Sequence, residues 1–337
     1  MRFVLSPERR QFADTLHDLL VAGDSTGAAR SWAAGDRAPA LALWRRLAGL
    51  GVTALAVPER WDGLGAHLVD LVVACEELGH HALPGPVAES VAAVPALLTA
   101  LDDEKLCQEW LPRLATGDLL ATLALPPRLP YATDADAAGL VLLVDADVLR
   151  LGLPAAAHRS LDETRRLFRL GGGDPLATGP AVPGAAARAL DAGALACAAQ
   201  LLGAGHAMLD SAVRHAGQRV QFGRPIGSFQ AVQHSLADVL VGLEFARPLL
   251  HAAAIALADA SPTAARDVSA AKIACAGAAH RAARTALQVH GAIGYTREHD
   301  LWLWLTKVRA LVPAWGTQAE HRARVLVALT GEARGWT

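Results

Sequence analysis

The 337-residue chain has almost no surplus charge of either sign: 31 Lys and Arg stand against 33 Asp and Glu, for a formal net charge of -2. It also lacks a basic block. A protein that neutralises nucleic-acid phosphates or an anionic membrane surface needs such a block, so neither nucleic acid nor membrane is expected as the main partner. A small molecule or another protein is expected instead. Cysteine is scarce as well. Cys75, Cys107, Cys197 and Cys275 are widely spaced and form no C-x-x-C pair, which argues against a disulfide framework and against a thiolate zinc site. Buried, reduced thiols are expected, and no metal site. The N-terminal MRFVLSPERRQF has no apolar signal core, and no uninterrupted apolar run reaches the ~18 residues of a membrane span, so the expected location is the cytoplasm. No 20- to 50-residue repeat is visible.

What the chain does have is apolar residues, 53% of the total, over a length that suits two or three domains. Up to about residue 117 they recur at steps of three and four, as in Phe12, Leu16, Leu19 and Leu20, and again in Leu68, Leu71, Val72, Cys75 and Leu78. That period predicts helices. Ser6-Pro7-Glu8 supplies a cap followed by Pro at the first helical position. Val57 to Gly65, with one Pro and two Gly, breaks the period and reads as a loop.

From Asp118 to about Gly184 the pattern changes. Leu119 to Leu125, Gly139 to Val144 and Val148 to Leu151 are short apolar runs bounded by Pro, Gly and Asp, which predicts strands ending by about residue 170. Gly171-Gly172-Gly173-Asp174-Pro175 reads as a turn; no helix start follows it, so it is not a phosphate loop. Helical periodicity returns in Ala-rich segments around 185–216, 228–258, 262–290 and 317–331, which predicts a bundle of four long helices. The expected fold is thus mainly α with a small central β domain. The expected domains are an N-terminal helical part (1–117), a shortened β-barrel-like middle (118–184) and a C-terminal four-helix bundle (185–337).

Three motifs resemble those of the acyl-CoA dehydrogenase family. Arg219-Val220-Gln221-Phe222-Gly223-Arg224-Pro225-Ile226-Gly227-Ser228-Phe229-Gln230 is similar to the family's R-x-x-F-G-x-x-I-x-x-x-Q. Gln288-Val289-His290-Gly291-Ala292-Ile293-Gly294-Tyr295 is similar to Q-x-x-G-G-x-G-[FY], with Ala292 in place of the second Gly. Val57 to Gly65 and Glu76-Glu77-Leu78-Gly79 resemble V-P-E-x-x-G-G-L-G and E-E-L-G. The resemblance implies FAD as cofactor and an acyl-CoA or similar thioester as substrate. It also implies that the first motif of one subunit and the second motif of its neighbour hold the adenosine diphosphate of the flavin. Carried over residue by residue, the cofactor set is Arg219, Gln221, Phe222, Gln230, Gln288, Gly291, Ala292 and Gly294, with Thr317 toward the flavin. A guanidinium suits a pyrophosphate because it donates paired, charge-assisted hydrogen bonds, and bare glycine backbone lets the phosphate come close. Taken singly, Arg219 could be a helix-end cation, Gln230 a surface residue and the Gly turn a simple helix break; their joint spacing carries the assignment.

The family's reaction removes an α-proton with a carboxylate while the β-hydrogen leaves as hydride. In most members the resemblance places that base in a Y-E-G-T segment, which aligns with Ala314-Trp315-Gly316-Thr317. A minority place it on the preceding long helix, at a position that falls on Gly193. Trp315 and Gly193 therefore occupy both expected base positions. The T-E-P segment near the flavin ring is Leu125-Pro126-Pro127 here. Among substitutes, Asp191 is set two helical residues from Gly193 and so rotated away. Glu320 reads as a solvated or ion-paired helix residue, His206 as a core or interface histidine, and Glu298, His299 and Asp300 as packing or dimer contacts. Ser160 to Arg166 and the chain length resemble the base-less partner in heteromeric steroid-side-chain enzymes. The expectation is an FAD-binding subunit that oligomerises with itself or a paralogue. The alternatives are a self-sufficient acyl-CoA or acyl-carrier-protein dehydrogenase with a relocated base, and a non-catalytic scaffold without FAD.

Overall fold

Ser6 does cap the first helix, its Oγ accepting the Arg9 amide proton at 3.4 Å, with Pro7 following it. The structure, a computed structural model, describes residues 5–331. Residues 1–4, part of the stretch read above for a signal, and 332–337 at the end of the last expected domain lie outside it. In chain order the N-terminal part is α1 (Pro7–Ala22), α2 (Ser25–Ala33), α3 (Ala38–Gly49), α4 (Leu68–His80), α5 (Val94–Leu101) and α6 (Glu104–Ala115). Val57 to Gly65 is a tight loop in which a Cβ on Gly63 would lie 2.0 Å from the Val57 carbonyl oxygen, so only glycine fits there.

The middle part is β1 (Ala121–Ala124), β2 (Ala132–Thr133), β3 (Leu140–Asp145), β4 (Val148–Arg159) and β5 (Arg166–Thr178). They form one sheet in the order β1-β3-β4-β5-β2, parallel only between β1 and β3. The edge strands β1 and β2 lie against one another, which curls the sheet toward a barrel. The segment Gly171 to Pro175 is not a turn. It lies within β5, with Gly171 opposite Leu153, Gly172 opposite Gly152 and Pro175 opposite Arg150, and the pairing shifts register beside it. Glycine runs inside a strand mark such bulges and close backbone approach as readily as they mark turns. The strands therefore extend to Thr178 rather than ending near residue 170.

The C-terminal part is α7 (Ala181–Gln218), a short hairpin of β6 (Val220–Gln221) and β7 (Arg224–Pro225), then α8 (Gln230–Ala258), α9 (Ala264–His290), α10 (Leu301–Leu311) and α11 (Gln318–Thr330). Helices α7, α8, α9 and α11 pack as the bundle, with α9 touching the other three. Helix α7 is the axis of the molecule: the apolar stretch that would make it long enough to cross a membrane is 94% buried in the fold. Helix α8 passes the same length and composition test but is 39% buried, and Leu240, Val241, Phe245 and Leu249 remain exposed along it.

Small residues decide how the N-terminal part meets the bundle. A Cβ on Gly79 would lie 2.1 Å from the Gln200 carbonyl oxygen, and one on Gly203 would lie 1.8 Å from that of Glu76. So α4 and α7 cross with backbone against backbone. Glu76 beside this crossing is partly buried; desolvation raises its carboxyl to about 7 even though Arg247 of α8 pairs with it at 2.8 Å. One apolar core runs from Leu16 through Cys75 and Leu123 to Trp315, joining all three parts. The four cysteines are free and buried, and burial pushes the thiols of Cys75 and Cys275 up to about 12.

Candidate functional site

Arg219 stands where α7 ends, its amide donating to the His215 carbonyl at 2.8 Å and its own carbonyl accepting from Ile226 at 2.8 Å. Between these bonds the chain makes a two-residue reversal, with Phe222 at φ 52 and Gly223 at φ 76, the paired positive values that a tight hairpin needs. Phe222 at its tip is 92% exposed, and Arg224 stacks 4.1 Å from the Phe229 ring centroid. Gln221 and Gln230 are exposed on the same projection, Gln230 as the first residue of α8.

Gln288 lies in the last turn of α9. Gly291 follows at φ 67 and ψ -144 with nothing within 4 Å of where a Cβ would be, and Ala292 sits inside the 3-10 turn Gly291–Tyr295. A 3-10 turn has negative φ, so the methyl group of Ala292 is accommodated without backbone strain. Gly294 is buried, and an added Cβ would press on Leu287, His290 and Leu301 at 3.1–3.3 Å. Gln288 and Gly291 line a cleft of 800 Å³ together with Ser235 of α8 and Gly277, Arg281 and Arg284 of α9. Residues 277, 281, 284 and 288 are spaced four, three and four apart, so they share one helix face. Arg281 and Arg284 were not singled out from the sequence; this spacing ahead of Gln288 was the available signal. Among the described residues no carboxylate pairs with Arg219, Arg281 or Arg284. Within one chain the hairpin residues do not line this cleft.

A second cleft, of 610 Å³, is lined by Arg128 from the middle part, Leu190 of α7, Arg266 of α9, Trp315 and Gly316, and Glu320, His321 and Arg324 of α11. Trp315 is 3% exposed and has φ 61. Its indole lies directly on Gly193: a Cβ there would stand 2.3 Å from the ring carbons Cε3 and Cζ3. The two positions at which the family resemblance places a base are thus one place in space, and an indole fills it. The backbone is fixed from both sides. His321 Nε2 is 3.2 Å from the Trp315 carbonyl oxygen and its Nδ1 is 3.1 Å from Ser269 Oγ. Buried Lys272 donates to the carbonyls of Leu311 and Val312 at 3.0 Å each. Burial, with the nearby Lys272 charge, holds His321 down to about 4, so it stays neutral at ordinary pH.

Glu320 is the one carboxylate lining this cleft among the described residues. It is tied up locally: its Oε2 accepts from the Thr317 amide at 2.6 Å and the Thr317 hydroxyl at 2.8 Å, and Thr317 Oγ1 in turn caps the Glu320 amide. Those bonds, that of the Thr317 amide foremost, hold its carboxyl below the usual range. The Thr317 hydroxyl is committed to the same cap. Asp191 does turn aside from Gly193, toward Arg324, with which it pairs at 2.8 Å. His206 receives a hydrogen bond from Arg247 at 2.9 Å, and burial lowers it to about 4, as suits a core histidine.

The family described as acyl-CoA dehydrogenase, N-terminal domain, matches residues 6–118, and acyl-CoA dehydrogenase, C-terminal domain, matches residues 184–329. The acyl-CoA dehydrogenase IpdE2 of Mycobacterium tuberculosis is 33% identical over 89% of this chain and 90% of its own length. IpdE2 of Mycolicibacterium smegmatis is 32% identical over 95% of this chain and 98% of its own. Among solved structures, butyryl-CoA dehydrogenase from Megasphaera elsdenii superposes with a TM-score of 0.85 at 22% identity, covering 98% of this chain and 100% of that one. The Tcur3481-Tcur3483 steroid ACAD superposes at 0.82 with 22% identity over 97% and 99%. At such identities these two structures bear on the fold, and they share its order of helices, sheet and helices.

Proposed function

The chain belongs to the acyl-CoA dehydrogenase family, and from that premise we propose that it is an FAD-binding subunit that lacks its own catalytic base and completes a thioester desaturase with a paralogous subunit. The observation that supports this reading is the Trp315 indole seated on Gly193, the two positions to which the family resemblance assigns the base. FAD, when bound, would supply the acceptor for the β-hydrogen. Arg219, Gln221, Phe222 and Gln230 would hold its adenosine diphosphate from one subunit, and Gln288, Gly291, Ala292 and Gly294 from the next. The fit rests on guanidiniums that have no acidic partner among the described residues at either place and on the open turn at Gly291. Arg281 and Arg284 add cationic charge to the second place. The exposed apolar residues of α8 suit burial against the neighbouring subunit that such a shared site requires.

Purifying the chain alone and with a paralogue that keeps the Glu, then adding acyl-CoA without oxygen, separates three outcomes. Bleaching only by the pair supports the proposal. Bleaching by the chain alone replaces it with a self-sufficient enzyme, and no flavin in either preparation replaces it with a scaffold. Among the described residues Glu320 is the one carboxylate lining the Trp315 cleft, and Glu320→Gln should leave flavin reduction in the pair within about threefold, since a carboxylate held low by a helix cap is a poor proton acceptor. A loss of two orders of magnitude in stopped-flow bleaching would reverse that assignment. Arg219→Ala should weaken FAD binding by roughly tenfold to a hundredfold, the equivalent of ~1.5–3 kcal/mol for a charge-assisted pair. Flavin fluorescence titration of the assembled protein reads this directly, and unchanged affinity would remove Arg219 from the site.

A further inference from the structure

The E-E-L-G segment on α4 ends in two histidines, and both turn toward α1. His17 of α1, with Glu77, His80 and His81, can each offer one ligand atom such that all four atoms lie within 4.8 Å of one another. The three imidazoles pack around a common point, with ring centroids 5.5 Å (His17 and His80), 4.7 Å (His17 and His81) and 5.0 Å (His80 and His81) apart. His17 Nδ1 is 3.0 Å from His81 Nε2 and 3.4 Å from Glu77 Oε2. One ring nitrogen carries one proton at most, so His17 Nδ1 cannot donate to both. Glu77 Oε2, with that long contact to His17 as its one approach, is buried without a well-formed hydrogen bond, and so is His80 Nδ1. Hydrogen bonding within the cluster therefore leaves donors and acceptors unmatched.

We infer that His17, Glu77, His80 and His81 form a binding site for a divalent transition-metal ion, zinc foremost. One cation would engage all four facing lone pairs at once. Three imidazoles and a carboxylate are a donor set that zinc and its neighbours accept in tetrahedral geometry. Bonds of about 2.1 Å place tetrahedral ligand atoms about 3.4 Å apart. The separations of 3.0 and 3.4 Å already fit, and the remaining ones, all within 4.8 Å, would close by side-chain rotation. The outer ring nitrogens are oriented as metal-bound histidines require: His80 Nε2 is 3.2 Å from an Asp210 carboxylate oxygen on α7, and His81 Nδ1 is 3.4 Å from Ser25 Oγ on α2. An entry path exists, because His17, His80 and His81 line an open cleft of 490 Å³. With four protein ligands the site is closed, so its role is structural: it clips α1 to α4 and, through Asp210, to α7.

The test uses tag-free, full-length protein treated with a chelator and then titrated with Zn²⁺ or Co²⁺. The expected result is one metal ion per chain, the visible ligand-field bands of four-coordinate Co²⁺, and a higher melting temperature at saturating Zn²⁺. Asp210→Asn should weaken binding by about 10- to 100-fold, and His17→Ala should abolish the four-coordinate spectrum. His17 has a side chain 45% exposed, so its variant is a safe substitution for folding, and unchanged flavin content would confirm that. If the unmodified chain binds no more metal than His17→Ala does, or if the Co²⁺ spectrum survives that substitution, the site is refuted. Neither result depends on whether the chain carries a catalytic base.

Discussion

Anaerobic addition of acyl-CoA to the purified chain is expected to leave its flavin absorbance intact over times in which the complex with a Glu-bearing paralogue is fully bleached. The difference should be at least ~10²- to 10⁴-fold in rate, the usual worth of a positioned general base, and toward the upper end for so weak an acid as a thioester α-carbon. On the reading proposed above, a main-chain N–H at residue 315 would polarise a thioester carbonyl, but polarisation without a proton acceptor is insufficient. Changing the partner's Glu should therefore abolish activity of the pair, while Trp315→Phe in this chain should change it little. Trp315→Glu alone should not restore turnover. The pocket around the indole is shaped by Gly193 and by a backbone that His321 and Lys272 hold in place, so it has no room prepared for a substrate at near-attack distance. Rapid bleaching by the unmixed chain would show that a base lies elsewhere.

Gly203→Ala should destabilise the fold by about 3 kcal/mol, the upper part of the range for overpacking, or roughly a hundredfold in the folding equilibrium. The added methyl would stand 1.8 Å from the Glu76 carbonyl oxygen and 2.8 Å from the His80 amide nitrogen. Both obstacles are main chain, so no side-chain rotation relieves them, and α4 must move off α7. Gly217→Ala on the same helix is the control. Nothing lies within 4 Å of its would-be Cβ, so that substitution should stabilise by ~0.5–1 kcal/mol through helix propensity. Opposite shifts of the two variants in thermal and urea melts would confirm that the crossing, and not a general dislike of Ala, sets the cost. Equal melting behaviour would contradict it.

The order helix, sheet, helix was legible because the apolar period changes near residue 118 and changes back in the 180s. The long bundle helices were found to within a few residues for the same reason. Less was legible where one residue type serves two structures. Gly171 to Gly173 lie in a bulged strand although their composition suits a turn, and Leu301 to Leu305 alternate Leu and Trp at period two although α10 is a helix. The Arg219 motif and the Gln288 turn were visible because each is contiguous, whereas the β6–β7 hairpin within the first motif was not read from it. The histidine cluster was not, because His17 sits some sixty residues before Glu77, His80 and His81, and no local spacing links them. The capping role of Thr317 was also hidden, although Thr317 and Glu320 stand at the three-residue interval of a capping box.

The contact between Trp315 and Gly193 constrains the order in which this sequence could change. Any side chain at residue 193 collides with the indole, so a carboxylate there becomes tolerable only after Trp315 has been replaced by something smaller. Shrinking Trp315 first opens a cavity in the core, a loss of about 3–5 kcal/mol for a buried Trp→Ala change. Each single step is harmful, and the second relieves the clash or fills the space left by the first, so the two positions are coupled. A double-mutant cycle of Trp315→Ala with Gly193→Glu should show a coupling of at least ~1 kcal/mol favouring the double variant. Such coupling acts as a ratchet: with an indole settled on that glycine, single substitutions at either position pass through a weaker fold before a carboxylate can stand at residue 193.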